Sequence, residues 1–324
     1  MALCTGHYLA SGRPGLVYMQ NSGLGNAINP LVSLADPMVY SIPMLLLIGW
    51  RGQPEMPDEP QHLKQGLVTL PLLQTLGLEY AILPFSNREA EETLARAATH
   101  MSTKSEPFAL VAGKNTFSPY RLTSDDKGSY RLSREEAVKM ILSGLDPGDV
   151  VVSTTGKLSR EIYEYREAGG EGHGRDFLNV GSMGHASQIA LGIALNKKDR
   201  AIYCFDGDGA VIMHMGALAI AAASGAANFR HLVFNNSAHD SVGGQATVGF
   251  QVNIRGVAEA CGYRLALRAD TEPELKAALA RIMGEKGPSL LEIRVHKGAR
   301  SDLGRPKSTP GENKSAFMQF LNNS

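Results

Sequence analysis

The sequence predicts an α/β protein of two domains, each built on a mainly parallel sheet flanked by helices. Short apolar runs of strand length alternate with helical patterns along the chain, which is typical of βαβ units. Gly-rich or polar loops follow several of these runs, and such loops form the ligand-binding edge of open parallel sheets. Residues 117–132 are polar and lack periodicity, so we expect a linker there, between domains at residues 1–116 and 133–324.

The composition bounds the possible partners. The 324 residues carry 32 Lys and Arg against 32 Asp and Glu, so no overall field favours nucleic acid or an anionic membrane. Three cysteines in a chain of this length fit a reducing cytoplasm better than a disulfide framework. The longest apolar run, residues 42–50, is far shorter than the ~20 residues that span a bilayer. We therefore expect a cytoplasmic protein whose partners are small molecules or copies of itself.

The first half of the chain contains two strand-to-loop transitions. A predicted strand at 15–20 runs into a Gly-rich loop that begins at Asn21. The apolar run 41–50 predicts a strand covered on both faces, and it leads into a polar, proline-rich loop over 51–62 that includes His62. A solvated connection and a ligand-binding loop both remain open for this segment. Further helices are predicted at 65–78 and 86–101, and further strands at 80–83 and 108–113.

The second half opens with a predicted helix that carries a capping box, Ser133 followed by Glu136. A strand at 149–153 then ends in hydroxyl, glycine and lysine residues that suit an anionic group, although such turns are also common helix caps. These residues are Thr155, Gly156 and Lys157. A strand at 177–180 precedes Gly181, Ser182 and Met183, where the methionine could simply fill core space.

Residues 201–245 form a predicted βαβ unit. Because parallel strands end at one edge of the sheet, Asp208 and Asn236 are expected to lie close together. A carboxylate, an amide oxygen and a backbone carbonyl such as that of Ala238 suit Mg²⁺, which takes its other ligands from water and phosphates. Gly207 and Gly209 would let a diphosphate approach the backbone. The alternative is a buried turn aspartate and a strand-end asparagine in an ordinary α/β domain.

Two later loops carry further candidate residues. His239 is an acid/base candidate by residue type, with a surface histidine as the alternative, and Asp240 adds a carboxylate beside it. Gly243 and Gly244 make this loop able to close over a substrate. After a strand at 289–295 come four cations that form either a solvated face or a site for a doubly anionic substrate. They are Lys297, Arg300, Arg305 and Lys307.

Several of these segments resemble one enzyme family. Gly-Asp-Gly at 207–209, followed after 25 residues by Asn-Asn at 235–236, resembles the diphosphate-binding motif of thiamine diphosphate enzymes. YMQNSGLGNAINPL, NVGSMGHASQIALGIAL and HDSVGGQ are similar to the phosphonopyruvate decarboxylases in particular, with the sulfopyruvate decarboxylases as close relatives. The resemblance spans nearly the whole chain.

The resemblance implies a function. It implies decarboxylation of phosphonopyruvate, a 2-oxo acid with a phosphonate group, to phosphonoacetaldehyde and CO₂, with thiamine diphosphate and Mg²⁺ as cofactors. The first domain would bind the pyrimidine and the second the diphosphate, with the cofactor held between subunits of a homo-oligomer. Sulfopyruvate decarboxylation and a cofactor-binding subunit with impaired catalysis are the alternatives. An acetolactate-type carboligase is more distant, since we identify no flavin-binding middle domain.

The resemblance also assigns roles to residues. It implies that the Gly181 carbonyl accepts a hydrogen bond from the cofactor and that Met183 wedges between its rings. Metal ligands would be Asp208, Asn236 and Ala238, and the phosphonate would lie near Arg300 or Arg305. The catalytic candidates are Asn21, His62, His239 and Asp240. The cofactor-binding candidates are Thr155, Gly156, Lys157, Gly181, Ser182, Met183, Gly207, Asp208, Gly209 and Asn236.

The chain departs from the family pattern at its start. Family members carry a strand, a helix and a glutamate that contacts the aminopyrimidine ring upstream of the segment matching residues 2–12, and no acidic residue precedes Asp36 here. No helix-capping residue precedes the first predicted helix either. We therefore expect a first domain truncated at its N-terminus, which leaves either a fragment of an active decarboxylase or a binding protein with reduced catalysis.

Overall fold

The computed structural model describes residues 1–120 and 128–323, and its contacts divide the chain into two compact units, Met1–Thr123 and Ser124–Ser324. The division falls inside the predicted linker, of which residues 121–127 lie outside the described residues. We describe each unit by itself. Among the described residues, no helix combines the length and the apolar character that crossing a membrane requires.

The first unit contains a parallel four-stranded sheet with the strand order β1-β2-β4-β3. Its strands are β1 (Gly15–Gln20), β2 (Met44–Gly49), β3 (Glu79–Ile82) and β4 (Phe108–Ala112). Its helices are α1 (Ala2–Ser11), α2 (Leu24–Pro30), α3 (Pro60–Thr75) and α4 (Asn87–Lys104). Alternate residues of β2, namely Met44, Leu46 and Ile48, are buried against α2 and α3, which places a core on that face of the sheet.

The boundaries in this unit differ from expectation at one functionally relevant place. Helix α3 begins at Pro60, whereas the sequence predicted a loop through His62. The fixed φ of proline suits the first position of a helix and its missing N–H costs nothing there, which explains the earlier start. His62 therefore lies in the first turn of a helix.

The second unit contains a parallel six-stranded sheet with the order β11-β12-β8-β7-β5-β6. The strands are β5 (Val150–Ser153), β6 (Asp176–Leu178), β7 (Ile202–Gly207), β8 (Phe229–Asn235), β11 (Leu265–Ala269) and β12 (Ser289–Arg294). A small antiparallel pair, β9 (Ala238–His239) and β10 (Gln245–Ala246), follows β8. The helices are α5 (Arg134–Leu142), α6 (Lys157–Gly169), α7 (Ala186–Asn196), α8 (Asp208–Met213), α9 (Gly216–Ala223), α10 (Ile254–Cys261), α11 (Glu272–Gly284) and α12 (Pro310–Asn322).

Apolar cores cover both faces of this sheet, which confirms the predicted α/β class. Phe205 and Phe234 belong to one core with α5, α6 and α11, and Cys204 and Val233 belong to the other with α7, α9 and α10. The central strands are therefore apolar throughout, as expected for a parallel sheet covered by helices. Burial raises the pKa of the Cys204 thiol well above its ordinary value, so this cysteine is part of the core.

Two local predictions have different outcomes. The capping box of α5 is confirmed, because the Ser133 hydroxyl accepts the N–H of Glu136 and the Glu136 carboxylate accepts the N–H of Ser133. The helix predicted after Gly209 is interrupted between α8 and α9, since His214 leaves the helical conformation with its ring packed against the Cα of Gly184.

A buried ion pair connects α6 to the edge strand β6. The guanidinium of Arg166 donates to both carboxylate oxygens of Asp176, at 2.9 and 3.2 Å, and both side chains are completely buried. The third guanidinium nitrogen, Nη1, donates to the Glu171 carboxylate at 2.6 Å, and the Glu171 side chain is 34% exposed. Arg166 and Asp176 thus form a polar link inside the core. Glu171 is the partly exposed member of this group.

Candidate functional site

The loops that carry most candidate residues lie at one edge of the sheet in the second unit. Strands β6, β5, β7 and β8 are consecutive neighbours and parallel, so the loops after them meet at their carboxyl ends. Asp208 follows β7 directly and Asn236 follows β8. The backbone N–H of Asn236 interacts electrostatically with the Asp208 carboxylate, so these two residues lie close together at that edge.

Asp208 is a carboxylate buried without a paired cation. Its side chain accepts the hydroxyl of Thr247, and the residue is 2% exposed. Burial raises the pKa of the Asp208 carboxyl above its usual range, and no lysine or arginine among the described residues forms an ion pair with it. A buried carboxylate in such a place fits a bound metal ion, because burying a charge is costly unless a counter-charge is supplied.

The two asparagines after β8 have different tasks. Asn235 donates its amide N–H₂ to the Gly249 carbonyl and to Glu292, each at 2.8 Å, and ties the loop after β10 and strand β12 to β8. Asn236 donates its N–H₂ to Asp240 at 2.7 Å and accepts the N–H of Ala238 on its Oδ1 at 3.1 Å. The amide oxygen of Asn236 keeps a second lone pair for a ligand.

Gly249 lies directly against the Asp208 side chain. A Cβ atom at this position would lie 2.5 Å from Oδ1 of Asn235 and closer still to the Asp208 carboxylate. The backbone of the loop can therefore approach Asp208 only because residue 249 has no side chain. Asp208, Asn236 and Ala238 carry a carboxylate, an amide and a carbonyl oxygen, which are ligand types that suit Mg²⁺, and their predicted role as metal ligands stays a prediction.

Three predicted cofactor and catalytic elements meet at Gly209. A Cβ atom there would lie 2.6 Å from Cε1 of His239 and 3.3 Å from the methyl group of Met183. The glycine thus leaves room for the imidazole and the thioether beside the Gly-Asp-Gly loop. Ser182, next to Met183, has φ of 49°, a left-handed conformation that non-glycine residues adopt mainly at constrained, often functional positions.

The loop after β5 is tied to both of its neighbours. The hydroxyl of Thr155 donates to the carbonyl of Val180 at 2.8 Å, and the N–H of Lys157 donates to the hydroxyl of Ser241 at 3.2 Å. Gly156 has φ of 106°, and a Cβ there would overlap Ser241. These contacts hold the predicted diphosphate loop against the loops after β6 and β8.

Asp240 is held in a buried charge network. Its Oδ2 accepts hydrogen bonds from Arg134, from Asn236 and from the backbone N–H of Gly298, at 3.0, 2.7 and 3.0 Å. Arg134 in turn forms two 2.8 Å hydrogen bonds with Glu161. The sequence predicted Asp240 as a catalytic group, and nothing in its local pattern indicated this network.

In the cationic loop after β12, neighbouring carboxylates balance the charge of Arg300. Arg300 pairs with Glu135 at 3.2 Å, with Asp302 at 3.0 Å, and with Glu164. Glu164 also accepts the N–H of Gly304 at 2.5 Å. A phosphonate at Arg300 would therefore compete with carboxylates for the guanidinium. Arg305 lies in the same loop, and its predicted contact with substrate stays a prediction.

The candidates of the first unit cluster at the ends of β1 and β2. Asn21 is buried, and its amide donates to the Arg51 carbonyl at 2.8 Å and to the Thr69 hydroxyl at 2.9 Å. Both amide hydrogens are thus used within the unit, and the predicted role of Asn21 beside substrate stays a prediction. His62 contacts Gln20 at 3.5 Å, and burial together with the nearby Arg51 lowers the pKa of its imidazole below the ordinary value.

The loop before α3 is organised by an ion pair that also gives a test. Arg51 donates to Asp58, which also accepts the N–H of Gly52 at 2.7 Å, and the hydrogen bond from Arg51 lowers the pKa of Asp58 to about 2. We expect Asp58→Asn to reduce the free energy of unfolding by about 1 kcal/mol at pH 7, because the ion pair is partly exposed.

A lowered carboxyl pKa stabilises the fold above the unfolded-state pKa, and this contribution is lost as pH falls towards 2. The difference between Asp58→Asn and the parent should therefore shrink between pH 4 and pH 2, as measured by chemical unfolding. A difference that stays constant with pH would contradict the assignment. Glu55→Gln, in the same loop, is the matched control.

Several site residues were not predicted from the sequence. Thr247 and Gly249 contact Asp208, and Arg134 contacts Asp240. Glu161 and Glu292 hydrogen-bond to Arg134 and Asn235, which lie next to these groups. Most of these contacts span tens of residues along the chain, so no local pattern reports them. The one available signal was the hydroxyl of Thr247 shortly after the Gly-Gly pair, which resembles many ordinary loop threonines.

Comparisons with known proteins agree with this geometry. Residues 154–293 match the family model described as thiamine pyrophosphate enzyme, C-terminal TPP binding domain. The chain is 35% identical to a phosphonopyruvate decarboxylase of Streptomyces viridochromogenes over 99% of this chain and 82% of that protein. It is 35% identical to a phosphonopyruvate decarboxylase of Streptomyces hygroscopicus, covering 98% and 81%. A sulfopyruvate decarboxylase of Methanosarcina acetivorans is 27% identical, covering 99% and 85%.

Proposed function

The chain belongs to the phosphonopyruvate decarboxylase family of thiamine diphosphate enzymes, and from that premise we propose that it converts phosphonopyruvate to phosphonoacetaldehyde and CO₂. The single observation that carries the proposal is the buried Asp208 carboxylate beside Asn236 at the carboxyl edge of the sheet, with which no lysine or arginine of the described part of the chain forms an ion pair. Asp208, the Oδ1 of Asn236 and the Ala238 carbonyl would hold Mg²⁺, and the metal would hold a diphosphate.

Thiamine diphosphate, when bound, supplies the electron sink that accepts the electron pair left behind when carbon dioxide leaves. The residues of this chain would orient the reactants and manage protons. The thioether of Met183 and the imidazole of His239 would line the space beside Gly209. His239 is the candidate to move a proton there, and His62, whose pKa is lowered by burial, is a further acid/base candidate.

Sulfopyruvate decarboxylation is the second candidate. The sulfopyruvate decarboxylase relative is similar over nearly the whole chain, and sulfonate and phosphonate groups present similar tetrahedral anions to the same cations. A phosphonate can carry a second negative charge, which gives a cluster of arginines and lysines more to bind. The lower identity of that relative, 27% against 35%, favours phosphonopyruvate as the first candidate.

Turnover on the two substrates tests the proposal. The purified chain would be assayed for CO₂ release from phosphonopyruvate and from sulfopyruvate, with and without thiamine diphosphate and Mg²⁺. The proposal expects release from phosphonopyruvate only when both cofactors are present. Faster release from sulfopyruvate would favour the second candidate. Cofactor binding by calorimetry without turnover on either substrate would support the impaired binding subunit.

Arg300 gives a test of substrate recognition. We expect Arg300→Met to raise KM for phosphonopyruvate about ten- to a hundredfold with a smaller change in kcat, because hydrogen bonds between charged groups contribute roughly 1.5–3 kcal/mol. Arg300→Lys keeps the charge and should lie between this variant and the parent. Steady-state kinetics would be paired with thermal unfolding, since the variant also leaves three carboxylates without Arg300. An unchanged KM would remove Arg300 from the substrate site.

The assembly and location expected from the sequence remain proposals. The cofactor is proposed to bind between subunits of a homo-oligomer, and the protein is proposed to be cytoplasmic. Light scattering of the purified chain with and without thiamine diphosphate would test the first point. A monomer that turns over substrate would contradict it.

A further inference from the structure

One carboxylate of the candidate site accepts several hydrogen bonds on a single oxygen. A single oxygen of Asp240, Oδ2, accepts three hydrogen bonds from Arg134, Asn236 and Gly298. Its side chain is 8% exposed. Three donors converge on one oxygen, and together they hold the carboxylate in one position. This arrangement is typical of a group that holds others in place.

Asp240 is anchored through Arg134 to helices α5 and α6 of the second unit. Arg134, the first residue of α5, is buried, and its guanidinium is held by Glu161 of α6 through Nε and Nη2. The third nitrogen, Nη1, reaches Asp240. Because a planar guanidinium held by two parallel hydrogen bonds has a fixed direction, Nη1 fixes the position of the Asp240 carboxylate.

The Asp240 carboxylate also determines the orientation of the Asn236 side-chain amide. The Nδ2 of Asn236 donates to Oδ2 of Asp240 at 2.7 Å, so the N–H₂ group of the amide faces Asp240. The Oδ1 of Asn236 is then on the Ala238 side, where it accepts that residue's N–H. An amide turned the other way would point two N–H donors at a cation, and amide nitrogen is not a ligand for Mg²⁺.

The same oxygen of Asp240 reaches the cationic loop. The N–H of Gly298 donates to it, two residues before Arg300. The loop after β12 is therefore attached to the residue that orients Asn236. A change at Asp240 should affect both the metal ligand and the start of this loop.

We propose that Asp240, fixed by the Arg134–Glu161 pair, is a positioning residue that presents the Asn236 amide oxygen to the metal and links the metal site to the loop carrying Arg300. The proposal rests on the proposed function. It assigns to Asp240 a positioning role, whereas the sequence predicted a catalytic one.

The test is the Mg²⁺ affinity of Asp240→Asn in the full chain. Mg²⁺ would be titrated by calorimetry into parent and variant, each saturated with thiamine diphosphate. We expect about ten- to a hundredfold weaker Mg²⁺ binding, the range found when groups that orient metal ligands are removed. Asp302→Asn, an exposed carboxylate of the same loop with no contact to Asn236, should bind Mg²⁺ like the parent.

Kinetics separate positioning from proton transfer. If Asp240 positions Asn236, the Mg²⁺ concentration for half-maximal turnover rises in Asp240→Asn, and saturating Mg²⁺ restores kcat to within about threefold of the parent. A kcat that stays low at saturating Mg²⁺, with unchanged Mg²⁺ affinity, would overturn the proposal and return Asp240 to acid/base chemistry. Unchanged affinity and unchanged kcat would overturn both roles.

A second variant covers the case in which Asp240→Asn folds poorly. Arg134→Lys keeps a positive charge beside Asp240 but loses the fork that Glu161 holds, so Mg²⁺ affinity should fall severalfold in the same direction. Affinity equal to the parent in this variant would overturn the anchoring role of Arg134. A parent chain that binds no Mg²⁺ with thiamine diphosphate defeats the proposed function itself, whereas a parent that binds it and an Asp240 variant that binds equally well defeats only this inference.

Discussion

Asp208→Asn should lower cofactor-dependent turnover by about a hundred- to a thousandfold, because it removes the charge that would hold the metal. The substitution keeps the shape of the side chain and its ability to accept the Thr247 hydroxyl through one oxygen. The expected loss is therefore one of metal binding. Calorimetric titration with Mg²⁺ and turnover on phosphonopyruvate would measure both effects.

The same variant should be at least as stable as the parent when no metal is present. Since burial raises the pKa of the Asp208 carboxyl, the ionised form at pH 7 costs folding free energy, and a neutral amide removes that cost. We expect a gain of about 1 kcal/mol or less in the free energy of unfolding. Lost turnover together with a marked loss of stability would indicate a structural aspartate and contradict the metal site. Asp302→Asn serves as the control for loss of a carboxylate.

Arg166→Met should cost about 3–5 kcal/mol of unfolding free energy, which is the largest stability effect that we expect from a single substitution here. The variant leaves Asp176 in the core without its two hydrogen bonds from Arg166. Urea unfolding monitored by circular dichroism would measure the loss.

Two further variants identify the cause of that loss. Replacing both partners, as Arg166→Met with Asp176→Leu, should recover much of the stability, since the main cost is one charge left alone in the core. Glu171→Gln removes only the partly exposed partner and should cost about 1 kcal/mol or less. A double variant that is no more stable than Arg166→Met would mean that packing, and not the unpaired Asp176, determines the effect.

The parts of the site that could be predicted are those that short patterns encode. Gly-Asp-Gly after one apolar run and Asn-Asn after the next place Asp208 and Asn236 at adjacent strand ends, because the handedness of a βαβ unit leaves little freedom. The capping box of α5 is equally local. Domain-scale alternation of apolar runs was enough for the α/β class.

The parts that could not be predicted depend on contacts between distant residues. Arg134 and Asp240 are 106 positions apart, and Arg300 meets Glu135 across 165. From the sequence alone, Asp240 next to His239 suggests a pair of catalytic groups, and Arg300 suggests a cation without a carboxylate partner. The fold brings partners to both of them. The interruption at His214 likewise depends on Gly184, which lies on a different segment.

The burial of β7 and β8 on both faces affects how the site would be lost on heating. Both strands are almost completely buried, and Asp208 and Asn236 are attached directly to their ends. Amide hydrogens in such strands exchange with solvent mainly through global opening, while a loop such as residues 240–246 can open by itself. The proposed metal ligands are therefore attached to strands whose amides we expect to exchange slowly, and partial, local melting would release the loop above them first.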